Sequence, residues 1–143
     1  MQHLTKFNLG ELQVKEYPDW IVAVRGKQIT PGSMVVLPKS ELVSFGDMSP
    51  AQSAGLVSVL AELERATLSK EGLAADKFNI VAAMMKDPII HFHFIPRYKN
   101  EVILCSRPWV DQDWPALIQF RDVSTDSTTL ECIRQRLIVL LSR

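Results

Sequence analysis

The chain has 143 residues, 47% of them apolar and 22% charged, which suits a single domain over 1–143 with a real hydrophobic core. Sixteen basic residues balance sixteen acidic ones, and no basic block interrupts that balance, so a nucleic-acid polymer is not an expected partner. The apolar runs fall far short of the roughly 20 residues that cross a bilayer, so no membrane span is expected. Residues 1–6 lack the apolar core of a signal peptide, and a cytoplasmic location is expected. Cys105 and Cys132 lie far apart in the sequence, and reduced thiols are expected there.

Residues 1–19 are ambiguous between a short helix and a strand, because Gly10 interrupts the run of Leu4, Phe7, Leu9, Leu12 and Val14. Trp20 to Arg25 reads as a buried strand rich in β-branched residues. Thr30-Pro31-Gly32 reads as a turn into a second strand, Ser33 to Leu37. Ser49, Pro50 and Gln52 together make a strong helix start, with a capping side chain, a proline at the first helical position and a reciprocal glutamine. Leu56, Val59, Leu60, Leu63 and Thr67 then recur at helical spacing, and Gly72 marks a stop. Phe78 to Met85 reads as a third strand, and Lys86-Asp87-Pro88 as a turn into a fourth. Glu101 to Leu104 is an expected edge strand. Ser106 to Ser127 is expected to be irregular, with Trp109 and Trp114 as loop anchors. A second capping box at Thr128 to Glu131 opens a C-terminal amphipathic helix carrying Leu130, Ile133, Leu137, Leu140 and Leu141. Hairpin connections and two helices predict an α+β fold, an antiparallel sheet of about five strands with helices packed on it.

The fourth strand, His91 to Tyr98, carries the chemistry. Alternation sends Ile90, Phe92 and Phe94 to one face and His91 and His93 to the other. Three readings of the histidine pair are open. The first is a solvated or hydrogen-bonded pair with no catalytic role. The second is a metal site, with His3, Glu41, Asp87, Cys105 and Cys132 as further donors, none of them at a diagnostic spacing. The third is covalent catalysis at phosphorus. A neutral imidazole attacks while its second nitrogen is held as a donor, and a neighbouring imidazole contacts the same phosphate.

His91-Phe92-His93-Phe94-Ile95-Pro96-Arg97-Tyr98 resembles the end of the histidine triad (HIT) signature, in which three histidines alternate with apolar residues ahead of Pro-Arg. Pro31 to Lys39 resembles the family's Pro-Gly-His strand, and Phe45-Gly46-Asp47-Met48-Ser49-Pro50 resembles the entry to its long helix. Phe78-Asn79-Ile80 resembles the strand before the triad, so the likeness runs from about Trp20 to Tyr98. It implies a HIT-like homodimer of α+β subunits. It also implies a nucleotide or dinucleoside polyphosphate as ligand, and hydrolysis or transfer at the α-phosphate. His91 takes the position of the nucleophile and His93 that of the last histidine. No cofactor is required by that chemistry, and magnesium would arrive with a polyphosphate substrate. Arg25, Lys39 and Arg97 are candidate phosphate-binding residues, and Lys27 and Lys86 offer further positive charge.

The chain departs from the pattern at three places. Ile89 stands where the first histidine would be, Glu41 stands where many members carry another histidine, and the loop from Val81 to Pro88 is short and mostly apolar. An isoleucine side chain cannot donate to a phosphate, and a carboxylate repels one. The alternative reading is therefore a non-catalytic nucleotide-binding or regulatory protein on the same fold.

Overall fold

The computed structural model describes residues 7–143. After a one-turn helix α1 (Leu9–Leu12), three strands follow, β1 (Gln13–Glu16), β2 (Trp20–Val24) and β3 (Met34–Pro38). A 3-10 turn at Phe45–Asp47 leads to the long helix α2 (Pro50–Leu68), and then come β4 (Lys77–Val81) and β5 (Phe92–Arg97). A hairpin of β6 (Val102–Leu104) and β7 (Arg107–Trp109) precedes an irregular stretch and helix α3 (Ser127–Leu141). The architecture is the expected α+β one, a five-stranded antiparallel sheet in the order β1-β2-β3-β5-β4. No helix among the described residues is long and apolar enough to cross a membrane.

The fifth strand is Gln13–Glu16 beside β2, which settles the ambiguous N-terminal stretch as a turn of helix and then a strand. Glu101 to Leu104 was the expected edge strand, but Val102–Leu104 pairs only with Arg107–Trp109, in a separate two-stranded sheet. Cys105 and Ser106, both in the left-handed region, close this tight hairpin. The helix start at Ser49 forms as read: its hydroxyl accepts from the Gln52 amide and Gln52 returns a bond to the Ser49 amide. At the far end, a Cβ on Gly72 would lie 2.0 Å from the Ala66 carbonyl oxygen, so the chain leaving α2 approaches its last turn too closely for any side chain. Helix α3 is capped by Asp126, which accepts from the Thr129 amide. The box expected at Thr128 gives way to that stronger anionic cap, and Glu131 instead binds Arg134 and Gln135.

Strands β2 and β3 are buried on both faces. Trp20, Val22, Val24, Met34, Val36, Phe92 and Phe94 face α2 and α3, whose Val59, Leu63, Ile133, Leu137 and Leu141 complete the main core. Ile21, Ala23, Val35 and Leu37 face the other way and are covered by Leu9, with Phe7 and Leu12 packed beside them. The second face is therefore a roofed surface, and His93, paired across the ladder with Val35 and Val81, belongs to it.

Cys105 and Cys132 are joined in a disulfide, with Cα atoms 6.0 Å apart. This corrects the reduced-thiol expectation: separation along the chain says nothing of α3 folding back beside the hairpin. Closing a loop across a separation of 27 residues removes chain entropy from the unfolded state, worth on the order of 3 kcal/mol in the loop-closure account.

Candidate functional site

The site is built where β5 begins. The Asp87 carboxylate accepts the Ile89 amide at 3.1 Å, and the Leu42 carbonyl accepts the Ile90 amide at 2.8 Å, which fixes the chain entering the strand. The Ile89 carbonyl is thereby aimed at His91, and lies 2.7 Å from its Nδ1. A carbonyl oxygen only accepts, so Nδ1 is the donor, and in the neutral ring the free electron pair lies on Nε2. Ile89 thus acts through its backbone, a contribution that its side chain does not advertise.

His93 sits with its ring 5.1 Å from that of His91, edge to face. The Phe120 ring lies 5.1 Å away on its other side. Its Nδ1 is buried with no hydrogen-bond partner among the described residues. Burial, then the nearby Arg25 charge, then His91, lower its pKa from the ordinary value to about 4. His93 is therefore neutral at neutral pH. Between about 4 and 6.5 the unfolded chain binds a proton at this position that the folded chain does not. Stability should consequently rise with pH across that window and level off above it, with a slope of at most about 1.4 kcal/mol per pH unit. Urea midpoints of parent and His93→Phe, measured from pH 4 to 7, should diverge in that sense; parallel curves would contradict it.

Arg25 follows β2 and reaches the same place. Its guanidinium stands 5.0 Å from the Phe120 ring centre and donates to the Lys27 carbonyl at 3.3 Å. His91, His93 and Arg25 line one cavity of about 480 Å³ together with Lys86 and Asp87. The rest of its wall is apolar: Phe7, Val81, Ala83, Met84, Met85 and Phe120. A second cavity of about 310 Å³ shares Phe7, Arg25 and His93 with the first.

Of the candidate residues, then, His91, His93 and Arg25 come together. Lys39 lines neither of these cavities and pairs with Glu16 at 3.4 Å. Arg97 extends from the same face of β5 as His93, as alternation requires, but it is 3% exposed and fully engaged. Its Nε and Nη2 donate to the Asp111 carboxylate at 2.7 and 3.0 Å, and its Nη1 donates to Asn79 at 2.7 Å. The geometry makes it a clamp between β5 and the loop after β7, and takes it out of the phosphate-binding set. Among the described residues no three histidine, cysteine or acidic side chains gather as a metal site; Cys105 and Cys132 are bonded to each other, and His3 lies outside the described residues. Phe120 comes from an irregular stretch with no periodicity to place it, and Phe7 is read in the sequence only as part of the ambiguous apolar run before β1.

The HIT domain family model matches residues 11–100. The protein belongs to the HIT family. Among solved structures, a histidine triad protein from Marinobacter aquaeolei VT8 is 18% identical, with a TM-score of 0.76 over 96% of this chain and 93% of that one. A histidine triad protein from Bradyrhizobium japonicum is 21% identical, with a TM-score of 0.71 over 96% and 92%. A hypothetical histidine triad nucleotide-binding protein from Sulfolobus tokodaii is 13% identical, with a TM-score of 0.66 over 97% and 89%. These three share the fold. No curated protein matches the chain.

Proposed function

We propose that the protein binds the α-phosphate of a nucleotide conjugate beside His91 and His93 and transfers or hydrolyses the nucleotidyl group through His91. The observation that carries this reading is the 2.7 Å bond between His91 Nδ1 and the Ile89 carbonyl in a residue that lines the cavity, because a ring held through Nδ1 has Nε2 left for attack. Family membership and the likeness to a protein named as nucleotide-binding support a nucleotide ligand.

In the first step the Nε2 electron pair forms a bond to phosphorus while the bond to the leaving group breaks. The leaving group departs with that electron pair and takes a proton from water. In the second step water attacks phosphorus, the P–N bond breaks, its electrons return to Nε2, and the water's proton passes to solvent. A neutral His93 serves this chemistry as a hydrogen-bond donor to a phosphoryl oxygen rather than as a proton carrier. The Arg25 charge stabilises the same oxygens. Magnesium would come with a polyphosphate substrate.

Chromatographic detection of nucleoside monophosphate released from a dinucleoside polyphosphate and from a nucleoside phosphoramidate tests the reading. Release is expected from at least one of them. Calorimetric binding without release would favour the second reading, a nucleotide-binding module, which draws on the apolar Ile89 side chain and the apolar loop around Met84.

The same reading includes a homodimer. Strand β4 lies at the sheet edge and leaves Ile80 43% exposed, an apolar edge that a second copy would cover. Light scattering at micromolar concentration should give twice the mass of the 143-residue chain; a monomer mass would contradict it.

A further inference from the structure

We infer that the cavity takes a nucleotide whose α-phosphate carries an apolar, flat leaving group, in preference to a polyphosphate, and that Phe120 sets this preference. The inference rests on the nucleotidyl-transfer reading and names its substrate class.

Two features of the wall carry it. First, the wall facing the imidazoles is Val81, Ala83, Met84, Met85 and Phe120, and the cationic groups on it are Arg25 and Lys86, with Asp87 as an opposing carboxylate. That charge matches a single phosphoryl group. A polyphosphate chain would bring about three or four charges against apolar atoms that offer no hydrogen bonds in return. Methionines beside an aromatic ring suit a flat apolar guest, because thioethers adapt their shape and make favourable contacts with rings. A cavity of about 480 Å³ has room for such a group.

Second, Phe120 is held in place although it is 45% exposed. On one side Ile118 is 4% exposed and its amide donates to Asn79 at 3.1 Å. On the other, Arg121 is paired with Asp113, and Asp122 with Lys27 at 2.6 Å. These anchors present the ring to His93 and to Arg25 at once. Phe120 also lies beyond residue 100, where the match to the family model ends. The wall it supplies comes from this chain's own following segment.

Two probes test the inference, an aryl ester of adenosine 5′-monophosphate and diadenosine triphosphate. Binding is read by calorimetry in the His91→Asn background, so that the probes stay intact, and kcat/KM is read in the parent and in Phe120→Ala. The aryl ester should bind and turn over at least about tenfold better. Phe120→Ala should erase that advantage by raising KM for the aryl ester about tenfold more than for diadenosine triphosphate. Equal or reversed preference, or an equal loss of both substrates in Phe120→Ala, would overturn the inference while leaving nucleotidyl transfer standing. Preferential aryl binding without turnover would support the inference and overturn the transfer reading. Binding of neither probe would overturn both. Because Phe120 is half exposed, circular dichroism of Phe120→Ala should match the parent.

Discussion

His91→Asn should lower kcat/KM for any nucleotidyl substrate by roughly 10⁴-fold or more, because the residue removed forms the covalent bond and a neighbouring group cannot substitute for it. The asparagine amide can still donate to the Ile89 carbonyl, so the entry to β5 should keep its shape and stability should change by no more than ~1–2 kcal/mol. The ring it replaces also packs 5.7 Å from Phe7, which accounts for some loss of that size. Rates of parent and variant within tenfold of one another, under matched conditions, would remove His91 from the nucleophile's role.

Asp111→Ala should destabilise the fold more than other polar substitutions away from the main core. The carboxylate is fully enclosed and accepts four bonds, two from Arg97 and one each from the Tyr98 and Asp113 amides. Removing it strands the Arg97 guanidinium, 3% exposed, with Asn79 as its remaining side-chain partner. Breaking such a pair from one side costs about 3–5 kcal/mol, whereas replacing both partners by apolar residues costs less. Urea unfolding should therefore rank Asp111→Ala below the double variant Arg97→Met, Asp111→Leu. A loss under about 1 kcal/mol for Asp111→Ala would show that water reaches the site and shields the stranded charge.

What the sequence made legible follows from period and punctuation. Alternation in Phe92–Arg97 separated a core face from a histidine face, and Ser49-Pro50-Gln52 placed the start of α2 to the residue. Those signals are local, so they survive folding unchanged. The tertiary partners were not legible. Arg97 carries the same charge whether it meets a phosphate or Asp111, and the choice is made 14 residues later in a stretch with no periodicity. Cys132 meets Cys105 only because α3 returns along the β6–β7 hairpin. Phe120 meets His93 only because its segment, anchored by Ile118 and its bond to Asn79, returns to the roofed face. The missing first histidine shows the reverse case. The side chain at Ile89 differs from the family pattern, yet the backbone carbonyl that orients His91 is present whatever the side chain.

The most direct test of covalent transfer is to look for the bond itself. The parent protein is mixed with an adenosine 5′-monophosphate ester, quenched in alkali within milliseconds to seconds, and its intact mass is measured. One adenylyl group per chain should appear, be absent in His91→Asn, and map by peptide fragmentation to His91. An unmodified mass at every time point while substrate is being consumed would contradict the mechanism proposed for this site.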